Sequence, residues 1–245
     1  MRADLLVVKN GLAKSRSHAA ALIKEGRVSH QSGGVKKPSE DIPEDSALSV
    51  NMPVTSFVSR GGYKLSAALA AFSVDLTGLV CLDIGASAGG FTDCMLQSGA
   101  SAVYAVDCGF SQLDKSLVSD SRVINREKTN ARFLLKKDFE LLIGFAAMDV
   151  SFISQSLIYP AVSAILERGG SMVTLIKPQF ELDRFSLTKK GVVKKELLTG
   201  GCIDFIVAKL KKAAAERGLE LVSVIDSPIK GGDGNSEFLA YFKKL

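Results

Sequence analysis

The sequence predicts an α/β fold, a mostly parallel sheet covered on both faces by helices, with a small basic α+β domain ahead of it. Three observations carry this expectation. From about residue 60 onward, apolar strand-like runs alternate with helix-like runs, the pattern of parallel strands joined by crossover helices. The first of those strand-like runs ends in a glycine-rich turn that opens a helix. The stretch before residue 60 differs in composition: residues 1–37 hold Arg2, Lys9, Lys14, Arg16, Lys24, Arg27, Lys36 and Lys37 against only Asp4 and Glu25.

The whole-chain balance sets the bounds. A length of 245 residues and a hydrophobic content of 47% are enough for one large domain plus a small one with a real core. The formal charge of +5 and a pI near 9.0 mildly favour a polyanionic partner. Cys81, Cys94, Cys108 and Cys202 form no C-x-x-C pair or Cys and His cluster, so a zinc site, any other metal site and a disulfide framework are not expected. The opening MRADLLVVKNG has too few apolar residues for a signal-peptide core. No uncharged run approaches the roughly 18 residues of a spanning helix. These features together predict a soluble cytoplasmic protein with no membrane partner.

Taken in order, residues 11–25 read as a helix with one apolar face (Leu12, Ala19, Leu22, Ile23) and one basic side, stopped by Gly26. Residues 28–35 read as a turn-rich β segment, and KKPSEDIPEDS as an extended loop. NMPVTSFVSRGGYKL suits a linker that feeds a helix from about Tyr63, which puts the domain boundary near residue 60. Beyond it come LVCLDIG (strand), GGFTDCMLQSG (helix), AVYAVD (strand), SQLDKSL (helix), RVINRE and LLIGFAAMDV (strands), and ISQSLIYPAVSAILERG (helix). SMVTLIK (strand), GCIDFIVAKLKKAAAERG (helix), LELVSVIDS and EFLAYFKK (strands) complete the series.

LDIGASAGGFTD, with Gly85, Ala86, Ser87, Gly89 and Gly90, is an apolar strand running into a glycine turn, where exposed backbone N–H groups accommodate a nucleotide. A serine at position 87 breaks the G-x-G-x-x-G fingerprint and argues against NAD. Asp107, at the end of the next strand, is the candidate for ribose hydroxyls. Asp83 suits a ligand carrying an ammonium and a sulfonium better than one carrying phosphates. S-adenosyl-L-methionine fits that pattern, while a tight turn with two solvated strand-end acids is the bland alternative.

Ligands of a doubly wound sheet lie outside the carboxyl ends of its strands, where MDVSF delivers Asp149 and LIKPQ delivers Lys177. Lys64 and Glu237 can join them only through folding. Two lysines and two carboxylates can deprotonate a hydroxyl, the carboxylates orienting the lysines. Each also has an ordinary reading: Lys64 as a surface helix residue, Asp149 as an N-cap, Glu237 as a strand-edge charge.

These motifs together resemble the TlyA family, the bacterial rRNA cytidine 2'-O-methyltransferases also known as hemolysin A. GLAKSR, AALIKEGRV and VKKP are similar to the small RNA-binding domain shared by ribosomal protein S-four and pseudouridine synthases. VSRGGYKL, LDIGASAGGFTD, VDCG, MDVSFIS, LIKPQFE and GNSEF are similar to the FtsJ-type methyltransferase domain. The resemblance implies a Rossmann-like methyltransferase fold with a seven-stranded sheet, ribosomal RNA or ribosomal subunits as partner, and a Lys64, Asp149, Lys177, Glu237 tetrad with Lys177 as base. It also implies S-adenosylmethionine held by the first glycine loop, Asp83 and Asp107, with Asn130 near the adenosine. Lys14, Arg16, Lys24 and Arg27 are the expected RNA-binding cations. The chain departs from the family where VSHQSGG replaces the usual V-x-V-N-G turn. A non-catalytic RNA-binding protein and a membrane-active hemolysin are the rival readings; the intact tetrad speaks against the first and the lack of a lipid-binding segment against the second.

Overall fold

The computed structural model describes residues 1–13, 15–24, 26–30, 33–50, 57–198, 201–231 and 234–245; Lys14 and Gly232 lie outside them. The chain divides into two compact units, Met1–Ser56 and Phe57–Leu245.

In the first unit, α1 (Ala3–Lys9) and α2 (Arg16–Lys24) pack beside a small antiparallel sheet of β1 (Val28–His30), β2 (Gly33–Gly34) and β3 (Ser49–Val50), in the order β2-β1-β3. The helix α1 was not foreseen. Its apolar residues place Leu6 and Val7 in a core with Ala19, Leu22, Ile23 and Val28. The α2 helix starts at Arg16 rather than residue 11, because Gly11 turns the chain at φ +70°. The acidic loop is tied down: Ile42 is buried, and the Glu40 carboxylate accepts the Lys36 and Lys37 N–H groups.

The second unit begins with α3 (Gly61–Phe72), β4 (Val80–Ile84), α4 (Gly90–Gln97), β5 (Ala102–Val106), α5 (Lys115–Val118), β6 (Val123–Arg126), β7 (Ile143–Met148), α6 (Tyr159–Ile165) and β8 (Leu166–Ile176). It continues with α7 (Pro178–Glu181), α8 (Lys195–Leu198), α9 (Cys202–Ala215), β9 (Leu219–Asp226) and β10 (Phe238–Lys244). The strands form one seven-stranded sheet, β6-β5-β4-β7-β8-β10-β9. It is parallel from β6 to β8, and β10 runs antiparallel to both its neighbours. Alternate residues of one strand serve opposite faces: Leu82 and Ile84 join one apolar core and Cys81 the other, as Ala146 and Met148 oppose Phe145 and Ala147. Strand order reverses between β4 and β7, the switch point where a cleft opens beyond the strand ends.

Two expected helices are corrected. The helix read through ILERG stops at Ile165, and Leu166–Ile176 is already strand. Gly169, at φ +79°, and Gly170 are poor helix formers, and Leu166 pairs with Ile143 at the foot of β7. The SQLDKSL helix shrinks to one turn, capped by the Asp114 carboxylate accepting the Ser116 N–H.

Candidate active site

The four residues of the expected tetrad reach one cavity from four elements. Lys64 lies in the first turns of α3, Asp149 just past β7, Lys177 just past β8, and Glu237 just ahead of β10. Because β10 is antiparallel, its beginning lies at the rim where the parallel strands end. All four line a cavity of about 300 Å³ together with Ser59 and Arg60.

They form two ion pairs. Lys64 Nζ donates to Glu237 Oε2 at 2.5 Å, with side chains only 11% and 3% exposed. Lys177 Nζ lies 2.5 Å from Asp149 Oδ1 and donates to Ser151 Oγ at 3.0 Å, with the pair 13% and 22% exposed. Removing one partner of such a buried pair leaves an uncompensated charge, so each lysine's position is held by its carboxylate.

A second cavity, of about 460 Å³, adjoins the first; Gly85, Ser87 and Asp149 line both. Its wall is mainly apolar (Ile84, Val106, Val150, Ile158), with Asp107 and Asn130 among its polar groups. That volume is within the range of small-ligand sites. Asp107 receives the Ser87 N–H at 2.8 Å and the Gly109 N–H at 2.6 Å, which fixes its carboxylate while leaving lone pairs for further donors. Asn130 is exposed and its side-chain oxygen accepts the Arg132 N–H.

The glycine loop resolves residue by residue. Gly85 sits at φ +85°, and a Cβ there would collide with the Asp149 carbonyl oxygen, so only glycine lets the β4 turn pass beneath the strand β7 exit. Ala86 and Gly90 line the first cavity. Gly89 lines neither cavity; a Cβ there would meet Leu113 and Leu117, so its smallness serves packing against α5. Ser87 holds φ +48°, an uncommon conformation for a non-glycine residue, and its N–H is the one that Asp107 receives. Asp83 is fully buried beneath the loop and lines neither cavity. Its Oδ2 accepts the Thr92 hydroxyl at 2.6 Å while Oδ1 has no protein donor. Burial, reinforced by the charges of Asp149 and Asp107, pushes its carboxyl up to about 7.

The FtsJ-like methyltransferase family pattern matches residues 57–244. A 16S/23S rRNA (cytidine-2'-O)-methyltransferase TlyA from Mycobacterium tuberculosis is 37% identical over 99% of this chain and 89% of its own length. The chain belongs to the TlyA branch of the FtsJ-like methyltransferase family. Hemolysin A of Brachyspira hyodysenteriae is also 37% identical, over 99% of both chains. A solved Streptococcus thermophilus structure, whose working description is hemolysin, is 40% identical with a TM-score of 0.77, covering 100% of this chain and 88% of its own. Among the described residues no helix is long and apolar enough to cross a membrane.

Sequence reading missed several residues that hold this family site together. Ser151 fixes Lys177, Thr92 fixes Asp83, and Lys230 lines the first cavity. Glu181 is buried and accepts the Ser154 hydroxyl at 2.6 Å and the Gln155 N–H at 2.9 Å, tying the loop after Asp149 to the turn after Lys177. Its position in LIKPQFE was the available signal. In the first unit Arg16 is exposed but ion-paired with the buried Asp4, as is Arg2, and the Arg2 guanidinium holds that carboxyl down at about 2. Lys24 is exposed and Arg27 half-buried.

Proposed function

We propose that the chain methylates the ribose 2'-hydroxyl of cytidine in ribosomal RNA, in the cytoplasm, using S-adenosyl-L-methionine. The observation that carries this reading is the pair of lysine–carboxylate bridges in a cavity that shares Gly85, Ser87 and Asp149 with a second, apolar-walled one. The reaction printed in the name of the Mycobacterium tuberculosis relative agrees with it.

The residues fit the cofactor. Asp107 would accept the ribose hydroxyls, the apolar wall with Asn130 would take the adenine, and the Gly85 to Ser87 backbone would face the methionine part. Asp83, buried beneath the loop and lining neither cavity, would act on the cofactor only at a distance, as a charge that favours an ammonium over a phosphate when its carboxyl is ionised. When bound, S-adenosylmethionine supplies an electrophilic methyl carbon on a sulfonium, and the sulfur keeps the electron pair of the broken C–S bond.

The chain's own part is alignment and proton transfer. Lys177 Nζ, once its ammonium has given a proton to solvent, takes the proton of the 2'-hydroxyl as the oxygen forms its bond to the methyl carbon, and Asp149 and Ser151 hold that amine in line. Lys64, fixed by Glu237, orients the ribose from the opposite wall. Lys14, Arg16, Lys24 and Arg27 of the first unit contribute phosphate contacts that position the RNA without reading its sequence. The test is transfer of labelled methyl to separated ribosomal subunits, with the product mapped by resistance to alkaline cleavage. Transfer that leaves an alkali-resistant ribose supports the reading, and no transfer to either subunit overturns it.

A further inference from the structure

Between α7 and α8 the chain makes a hairpin that the reaction does not use. Leu187 and Val193 pair across it as an antiparallel bridge. The Thr188 N–H donates to Val192 O at 2.7 Å, the Gly191 N–H to Thr188 O at 2.9 Å, and the Lys194 N–H to Ser186 O at 3.0 Å. Gly191, at φ +75°, permits the tight turn, whose apex is Lys189 and Lys190.

The hairpin is both charged and anchored. Residues 183–195 carry Arg184, Lys189, Lys190, Lys194 and Lys195 against Asp183 alone. Arg184, Lys189, Lys190 and Lys194 are exposed, and none forms an ion pair with a carboxylate among the described residues. Phe185, beside them, is 88% exposed, an unusual position for a large aromatic ring. The anchor is Asn235, itself only 4% exposed: its Oδ1 accepts the Val193 N–H at 3.0 Å and its Nδ2 donates to the Gly191 carbonyl at 3.2 Å. Asn235 stands just before Glu237, and the hairpin follows directly from the turn that begins at Lys177. One rigid tongue is therefore fixed, by chain connection and by a buried amide, to both lysine–carboxylate pairs.

We infer that this hairpin is an RNA-docking tongue, in which Lys189 and Lys190 neutralise phosphates next to the target nucleotide and Phe185 stacks on an unpaired base. The inference rests on RNA being the substrate. Cations beside an exposed aromatic ring are what single-stranded or looped RNA requires, since every base offers a π-face and every linkage a phosphate. Anchoring through Asn235 reduces the ordering cost that a free loop would incur on binding.

The test compares the wild-type chain with Lys189→Glu/Lys190→Glu and with Phe185→Ala, all exposed positions whose replacement leaves the core intact. Binding to protein-free ribosomal RNA is measured across a salt series, and methyl transfer against RNA concentration. The double lysine variant is expected to raise KM for RNA about tenfold and to lower the salt slope of binding by about 2, one unit per phosphate contact. Affinity for S-adenosylmethionine stays unchanged. Phe185→Ala weakens RNA binding with the salt slope intact. An unchanged slope and KM in the lysine variant overturn the inference, as does a loss seen with whole subunits but not with protein-free RNA, which would assign the tongue to a ribosomal protein. The binding measurement reads the tongue even if wild-type transfer fails, so the two readings fall separately.

Discussion

The two lysine–carboxylate pairs use the same chemistry in different surroundings. Lys64 and Glu237 come from elements far apart in the chain and are almost sealed from solvent, with no further side-chain hydrogen-bond partner among the described residues. Lys177 and Asp149 sit at the ends of neighbouring parallel strands, remain partly open, and recruit Ser151 as well. In the proposed reaction the closed pair serves as a fixed wall and the open pair takes the proton. The two lysines are almost equally buried, at 11% and 13% exposed, so the difference lies in their carboxylates: Glu237 is 3% exposed and Asp149 22%.

The largest effect expected is at the open pair. Lys177→Ala should lower methyl transfer about 10³-fold, the usual scale of a lost general base, while cofactor affinity measured by calorimetry stays within about threefold. An equal loss from both readouts would make Lys177 a binding residue and erase the distinction. At the closed pair the expected loss is in stability: Glu237→Gln leaves Lys64 as a buried uncompensated charge and should cost about 3 kcal/mol in denaturant unfolding. Asp149→Asn, at the more exposed pair, should cost clearly less, and a reversed order would break the comparison.

A smaller effect concerns Asp83, buried beneath the glycine loop and within reach of the Asp149 charge. Its folded carboxyl titrates at about 7 against an ordinary value of 3.8, so between those values the folded state binds more protons than the unfolded one. Its contribution to stability is therefore greatest at low pH and falls as pH rises from about 4 to about 7. Asp83→Asn should flatten that part of the ligand-free stability profile. Binding of a cationic cofactor should strengthen up to about tenfold per pH unit below about 7 and level off above it, which titration at pH 6 and pH 8 would read. The smallest effect is Ser151→Ala: one hydrogen bond, about 1 kcal/mol, predicts an approximately fivefold fall in turnover with KM unchanged.

Much of this was legible in the sequence because strand ends are. Asp149 and Lys177 each close an apolar run, and Gly85 and Asp107 follow from the strand-to-turn pattern, so periodicity alone brought them to one rim. Lys64 and Glu237 were legible only through family resemblance, since their adjacency depends on β10 folding back against β8. Glu181 and Asn235 stayed hidden because their work is to hydrogen-bond distant loop backbone, and no local pattern marks which loop a side chain will reach. The α1 helix is not legible in the sequence, because a short apolar run says little until partners cover it. The overlong α6 reading overrated periodicity against Gly169 and Gly170.

The irregularity in β10 has a consequence for how this site tolerates change. Pairing with β8 runs without interruption from Phe238 opposite Ile176 to Lys243 opposite Ser171, whereas pairing with β9 slips between Tyr241 and Phe242. Mismatch is absorbed on the outer side of the strand, away from Lys177. The edge strand β9 can thus change register on its own side, while β10 keeps Glu237 in step with the end of β8, where Lys177 lies.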